Sequence, residues 1–467
     1  MRFFATFSGP AGCKSWPRRE IVSVMSPSPF EPLASTAPLI VYIDYKSPYA
    51  YLAKDPTYAI ADELGVEIDW RPFTLDIPSY LGSARLDNEG RVVESKRSTS
   101  QWAMVKYAYR DARRYASMRG MVVRGTTKIW DSSLAGIGML WAKEQGKGVL
   151  RAYSALVYER FWKRELDIED IAVIEAVLGE SGARVAGFRA YAAGQGRAVH
   201  EEIQRAAFDA GIFGVPTYVA GGEVFFGREH LPRIRWLLTG RRGAPPDVAY
   251  ESSSSAGPVA GAREPLGLVI DFRSPYAYLA IGPSLAMADE LGIAIDWQPF
   301  LGARWKTLAP ASPHDDRGTR HRSFRAAYME RDVMRYAADR GLVLRALDRQ
   351  SDSTLAALGL LWVKRASPSL AHEYVERVFE GYFGETLDIE DERAIRAVLA
   401  KIGAPVSGFE TFVREEGRAE LEQIQSDLRE AGIFDAPTYR LGGESFVGRQ
   451  HLPLIRRMLS GAGESAR

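Results

Sequence analysis

The heptapeptide Ser-Pro-Tyr-Ala-Tyr-Leu-Ala occurs twice in this chain, at Ser47–Ala53 and again at Ser274–Ala280. Each copy follows an apolar run that ends in aspartate, Leu-Ile-Val-Tyr-Ile-Asp44 and Leu-Val-Ile-Asp271. The register extends well beyond the motif. Ser47 and Ser274 lie 227 residues apart, as do Trp70 and Trp297. Tyr107 and Tyr328 lie 221 apart, as do Asp131 and Asp352, Asp167 and Asp388, and Pro216 and Pro437. The offset falls by six between Phe73 and Tyr107, so the second copy has the shorter loop there. The chain is a tandem duplication of a unit of about 200 residues, a domain in its own right rather than a solenoid repeat.

Within one copy the local grammar is readable. The run Leu39–Asp44 has strand composition. Ser47 is a favoured helix N-cap, and Pro48 suits the first helical position because its missing N–H has no partner there anyway. Gly65 is a C-cap signal for that helix. Glu67–Phe73 alternates as a second strand. A mainly helical stretch follows from about residue 101 to 205. Two short apolar runs flank Gly221-Gly222 and predict a β-hairpin, and a helix from His230 to Leu238 closes the unit. Strand, helix, strand, helical insert, hairpin and helix make an α/β unit, a mixed sheet with helices on both faces.

Composition narrows the function classes. A net charge of +1 gives no support for a nucleic-acid surface. No apolar run approaches the length of a membrane span. Cys13 is the only cysteine, which excludes internal disulfides, dithiol redox chemistry and cysteine-rich zinc sites. Six scattered histidines argue against a metal centre. Residues 1–37 read as a disordered tail or a start assigned too early, since Met25 stands just ahead of the first domain. That stretch is too broken for a secretory signal, and a cytoplasmic location is expected. Domains are expected at 38–240 and 266–460. Between them, 241–265 carries Pro245-Pro246 and Ser252–Ser255 and predicts a flexible linker.

Four segments then occur in order, in both copies. The first copy reads Asp44-Tyr-Lys-Ser47-Pro-Tyr-Ala-Tyr-Leu, Tyr107-x3-Asp111-x2-Arg114-Tyr115-Ala, Gly-Val-Pro216-Thr and Phe-Gly227-Arg-Glu229-His-Leu. The second has Asp271-Phe-Arg-Ser274-Pro-Tyr-Ala-Tyr-Leu, Tyr328-x3-Asp332-x2-Arg335-Tyr336-Ala, Asp-Ala-Pro437-Thr and Val-Gly448-Arg-Gln450-His-Leu. Together they resemble 2-hydroxychromene-2-carboxylate isomerases and kappa-class glutathione transferases. These are thioredoxin-fold proteins with a helical insertion, related to the periplasmic disulfide oxidoreductases of bacteria. The resemblance implies two tandem thioredoxin-like domains of that DSBA-like type.

It also implies glutathione as cofactor and a small, conjugated, aromatic oxo acid as substrate. Ser47 and Ser274 stand in place of the redox cysteine and would hold the glutathione thiolate at the helix N-terminus, next to Pro48, Tyr49, Pro275 and Tyr276. The bare alternative for each serine is a helix cap with no further role. Pro216 and Pro437 would be cis, with Val215 and Ala436 offering N–H and C=O to the ligand backbone. Arg228 and Glu229, with Arg449 and Gln450, would meet the γ-glutamyl end. Glu229 carries the acid expected there and Gln450 does not. Arg325 stands where relatives carry a lysine, and Met104 takes that place in the first copy. The stripe Tyr107, Asp111, Arg114 and its repeat predict a polar network between insert and core. Asp131-Ser132 and Asp352-Ser353 read as helix caps, and Trp70, Trp130 and Trp297 as core. The relatives are commonly dimers, so the two copies would form an intramolecular pseudo-dimer. A non-catalytic scaffold of two degenerate domains is the alternative from another class.

Overall fold

The computed structural model of this chain describes residues 30–251 and 265–464, apart from positions 88, 90 and 346. The tail expectation for 1–29 and the linker expectation for 252–264 fall outside the described residues. In the first copy the β-branched and aromatic run Leu39–Ile43 is buried along its whole length as the second strand of a four-stranded sheet. It pairs in parallel with Ile68–Pro72 and antiparallel with Thr217–Ala220, which pairs in turn with Glu223–Phe226. Gly221 and Gly222 both take positive φ, 57° and 79°, as the two-residue hairpin turn requires. The second copy repeats the sheet with Ile295–Pro299, Leu266–Ile270, Thr438–Leu441 and Glu444–Val447. Helix Pro48–Leu64 starts at the Ser47 cap and ends at Gly65 with φ 64°. The helical insert spans Thr99–Asp209 in the first copy and begins at Arg317 in the second. Trp70 and Trp297 are core residues, and one apolar core runs through both halves. No helix among the described residues is long and apolar enough to cross a membrane.

The two copies pack through a pseudo-twofold seam. Helix Thr99–Ser117 of the first copy lies over the hairpin of the second. Tyr107 accepts the Val447 N–H at 2.7 Å, and Arg114 donates to Glu444 at 2.9 Å. Helix Arg317–Asp339 does the same to the first copy. Tyr328 accepts the Phe226 N–H at 2.8 Å, and Arg335 donates to Glu223 at 3.0 Å. Two buried histidines sit between tyrosines in this seam. His230 bonds Tyr336 at 2.8 Å and Tyr328 at 3.0 Å; His451 bonds Tyr115 at 2.8 Å and Tyr107 at 3.2 Å. The tyrosine–aspartate–arginine stripe therefore forms a polar network, but its main partners belong to the other copy.

Residues 241–251, a described part of the linker expected at 241–265, pack against both copies. Val248 and Tyr250 are buried, and the strap bonds both copies through its backbone. Ala249 N–H donates to Glu229 C=O at 2.9 Å, and Tyr250 N–H to Gln450 C=O at 2.8 Å. Its two acids flank these bonds. Asp247 pairs with Arg449 at 3.0 Å and also with Arg340, while Glu251 pairs with Arg119 at 3.2 Å and Arg228 at 3.3 Å. Composition alone pointed to flexibility. The strap is ordered because it supplies countercharge to arginines that have left water.

Candidate functional site

Ser47 ends the turn after the first strand and caps a helix of 17 residues; its Oγ accepts the Ala50 N–H at 3.2 Å. Among the described residues nothing accepts the Ser47 hydroxyl proton. Pro48 and Tyr49 form the first turn of that helix, and Tyr49 donates to Asp111 at 3.4 Å. The Val215–Pro216 and Ala436–Pro437 bonds are both cis. The strand pairing Tyr42↔Thr217 brings Val215-Pro216 against the end of the first strand, beside the Ser47 turn. The N–H and C=O of Val215 make no hydrogen bond among the described residues. The first copy thus carries a donor, an acceptor and a hydroxyl proton without partners among the described residues, the hydroxyl at the positive end of a helix.

The second copy has the same frame and a different state. Ser274 again caps its helix, through the Ala277 N–H at 3.2 Å, with Pro275 and Tyr276 following it. Here, however, Ser274 Oγ donates to Ala436 C=O at 2.9 Å, and the Asp435 carboxylate accepts the Ala436 N–H at 2.8 Å. Arg325 is exposed, and its charge acts on Asp435 and Tyr276.

Arg228 and Arg449 do not reach an open ligand site. They are only 1% and 4% exposed and lie in the seam, held by Glu251 and Asp247. Arg228 also lies 3.7 Å from the Tyr250 ring centre and 4.7 Å from that of Tyr115. Burial acts against its charge, but Glu251, Tyr250 and Asp111 outweigh that and raise its pKa. Glu229 folds back over Gly227, where an added Cβ would lie 2.2 Å from its Oε2. Burial raises its pKa to about 7. Gln450 folds over Gly448 in the same way and donates to Val447 C=O at 2.8 Å.

Sequence reasoning missed the buried cluster behind the Ser47 turn. Asp44 accepts the Ser132 hydroxyl at 2.6 Å and lies 3.4 Å from the Lys46 ammonium. Its other oxygen accepts the Leu75 N–H at 2.7 Å. Ser132 holds the N-cap position without a side-chain cap bond, and Asp131 accepts the Ser133 N–H at 2.9 Å. In the second copy Arg273 and Ser353 bind Asp271 likewise. The aspartate ending each strand, together with the basic residue two places on, is the signal that identifies this cluster.

A short segment of the first copy packs against the second. The short helix Ile77–Leu81 carries Tyr80, which stacks on His321 of the second copy with ring centres 3.9 Å apart. Asp76 pairs with Arg317 at 3.2 Å. The crevice lined by Leu75, Tyr80, Phe213 and His321 leaves no room for a water molecule.

The family description "DSBA-like thioredoxin domain" matches residues 38–238 and 266–460. A 2-hydroxychromene-2-carboxylate isomerase of Pseudomonas putida is 26% identical over 187 residues, covering 40% of this chain and 89% of the relative. One from Pseudomonas sp. (strain C18) is 26% identical over 194 residues, covering 41% and 88%. A solved structure of a 2-hydroxychromene-2-carboxylate isomerase is 23% identical, covers 43% of this chain and 97% of its own, and has a TM-score of 0.35.

Proposed function

This chain belongs to the DSBA-like thioredoxin domain family, once in each half, and from that premise we propose that it is a glutathione-dependent isomerase or transferase of small conjugated oxo acids. The observation that carries the reading is the cis Val215–Pro216 bond, preceding a strand that pairs with the one leading to Ser47. The unbonded hydroxyl proton of Ser47 and the N–H and C=O of Val215 suit a short peptide that ends in a thiol. Glutathione, when bound, supplies a nucleophilic thiolate that adds reversibly to a conjugated system.

The chain's own residues do the rest. The Ser47 hydroxyl donates to the sulfur and favours its ionised form. The Val215 backbone fixes the cysteinyl unit as a short antiparallel pair. The lid of Tyr80 and His321 excludes water once the substrate is in place. The Asp44–Lys46–Ser132 cluster holds the turn that aims Ser47; it is a positioning group. The family kinship to isomerases supports a conjugated acid as substrate, and the absence of cysteine after position 13 supports thiolate holding over disulfide exchange.

The test is conversion of 2-hydroxychromene-2-carboxylate with and without reduced glutathione, by wild type and by Ser47→Ala. Glutathione-dependent turnover that falls in the variant supports the reading. Turnover independent of glutathione would count against it. A second reading, a scaffold of two degenerate domains, is favoured by the Ser274–Ala436 bond and by Gln450 in place of an acid. Failure of the full chain to bind immobilised glutathione would support that reading instead.

A further inference from the structure

The second copy satisfies its own binding backbone. Asp435 Oδ1 accepts the Ala436 N–H at 2.8 Å, and Ser274 Oγ donates to the Ala436 C=O at 2.9 Å. These are the two groups that a peptide ligand would need there. In the first copy the same two groups, on Val215, are unbonded among the described residues.

The difference is built into two coupled positions. Gly214 stands where the second copy has Asp435, and Phe226 where it has Val447. A Cβ on Gly214 would lie 2.5 Å from Phe226 Cε2, so the first copy has no room for a side chain at that point. The smaller Val447 leaves that room in the second copy.

We propose that Asp435 is a built-in occupant of the second copy's peptide-binding slot, so that each chain takes up one glutathione, in the first copy. The proposal rests on the glutathione reading above and says which site carries it out. Two effects act together. A ligand carbonyl must displace a charge-assisted hydrogen bond to reach the Ala436 N–H. A carboxylate at that point also opposes a thiolate beside Ser274, because like charges disfavour the ionised form. Asp435 keeps solvent exposure, although the protein around it raises its pKa.

The test is calorimetric titration of the full chain with reduced glutathione, for wild type and Asp435→Gly, which installs the residue of the first copy. One molecule per wild-type chain and two per variant chain are expected. Two per wild-type chain, or one per variant chain, overturns the proposal. Amide hydrogen exchange, resolved at Ala436 without any ligand, provides an independent check. Exchange at Ala436 should be slow in wild type and several-fold faster in Asp435→Gly; equal rates overturn the proposal. If neither chain takes up glutathione, the functional reading fails, and the Ala436 rates still decide whether Asp435 fills the slot.

Discussion

The guanidinium of Arg228 lies 3.7 Å from the centre of the Tyr250 ring, with the Glu251 carboxylate 3.3 Å from its Nε. Both partners come from the strap between the copies, so one short segment neutralises a cation buried in the seam. Glu251→Ala leaves Arg228 with its aromatic contacts alone. Removing one partner of a buried ion pair costs about 3–5 kcal/mol. Glu251 keeps some exposure, so a loss of ~1–3 kcal/mol is expected, read as a lower Tm in scanning calorimetry. An unchanged Tm would mean that the strap is an ornament on a seam that holds by itself.

The seam should also loosen in acid. Burial lowers the pKa of His230 to about 4 and also depresses that of His451 well below its ordinary value. Their folded values lie below the unfolded value of about 6.5, so the unfolded chain takes up protons first as pH falls. The stability they contribute is complete above about pH 6.5 and drains as pH drops towards 4. Glu229, with its pKa raised to about 7, acts in the opposite sense and gains stability below that pH. Four buried histidines, His200 and His321 among them, are lowered against the raised Glu229, Asp111 and Asp435, so urea midpoints should fall between pH 7 and pH 5. His230→Gln should start lower and fall less steeply. A variant with the wild-type slope would remove His230 from this account.

How much of this was legible in the sequence differs by residue. Ser47-Pro48 and Gly65 bound their helix correctly because caps act through local backbone geometry. Gly221-Gly222 located the hairpin for the same reason. The partners of Tyr107 and Arg114 were not legible, because Val447 and Glu444 lie more than 300 positions away and belong to the other copy. At 245–251 the composition misled, because Pro245-Pro246 describes chain entropy, whereas Asp247 and Glu251 are fixed by arginines that only the folded seam brings near. Arg228 and Arg449 carried a ligand role by resemblance. The fold buries both and turns them into seam residues.

The lid gives a kinetic prediction. On the proposed reading the Tyr80–His321 stack acts as a lid over the Ser47 site, so opening precedes binding. An aromatic pair contributes about 0.5–1.5 kcal/mol beyond its buried area. Tyr80→Ala should therefore raise the association rate of glutathione by roughly 2- to 10-fold. Stopped-flow quenching of intrinsic fluorescence reads this directly. An association rate equal to wild type would show that the ligand enters by another route.

The redox prediction is negative and sharp. Both domains lack cysteine, and a lone thiol at Cys13 cannot form an internal dithiol. The protein should not catalyse insulin reduction or oxidation of a dithiol peptide. Catalysis of either reaction by protein that lacks residues 1–24 would overturn the assignment of serine as a holder of another molecule's sulfur.

The central claim is that Ser47 stabilises a bound thiolate. Its direct measurement is the ultraviolet thiolate absorbance of reduced glutathione bound to the full chain, followed against pH. The account predicts thiolate absorbance at neutral pH in wild type. In Ser47→Ala it should be reduced, with the apparent thiol pKa rising by roughly 1–2 units, as loss of a hydrogen bond to a charged group of ~1.5–3 kcal/mol requires. Tm should fall by much less, since a lost cap costs about 1 kcal/mol. If bound glutathione titrates at the same pH in both proteins while only Tm falls, Ser47 is a helix cap and the account is wrong.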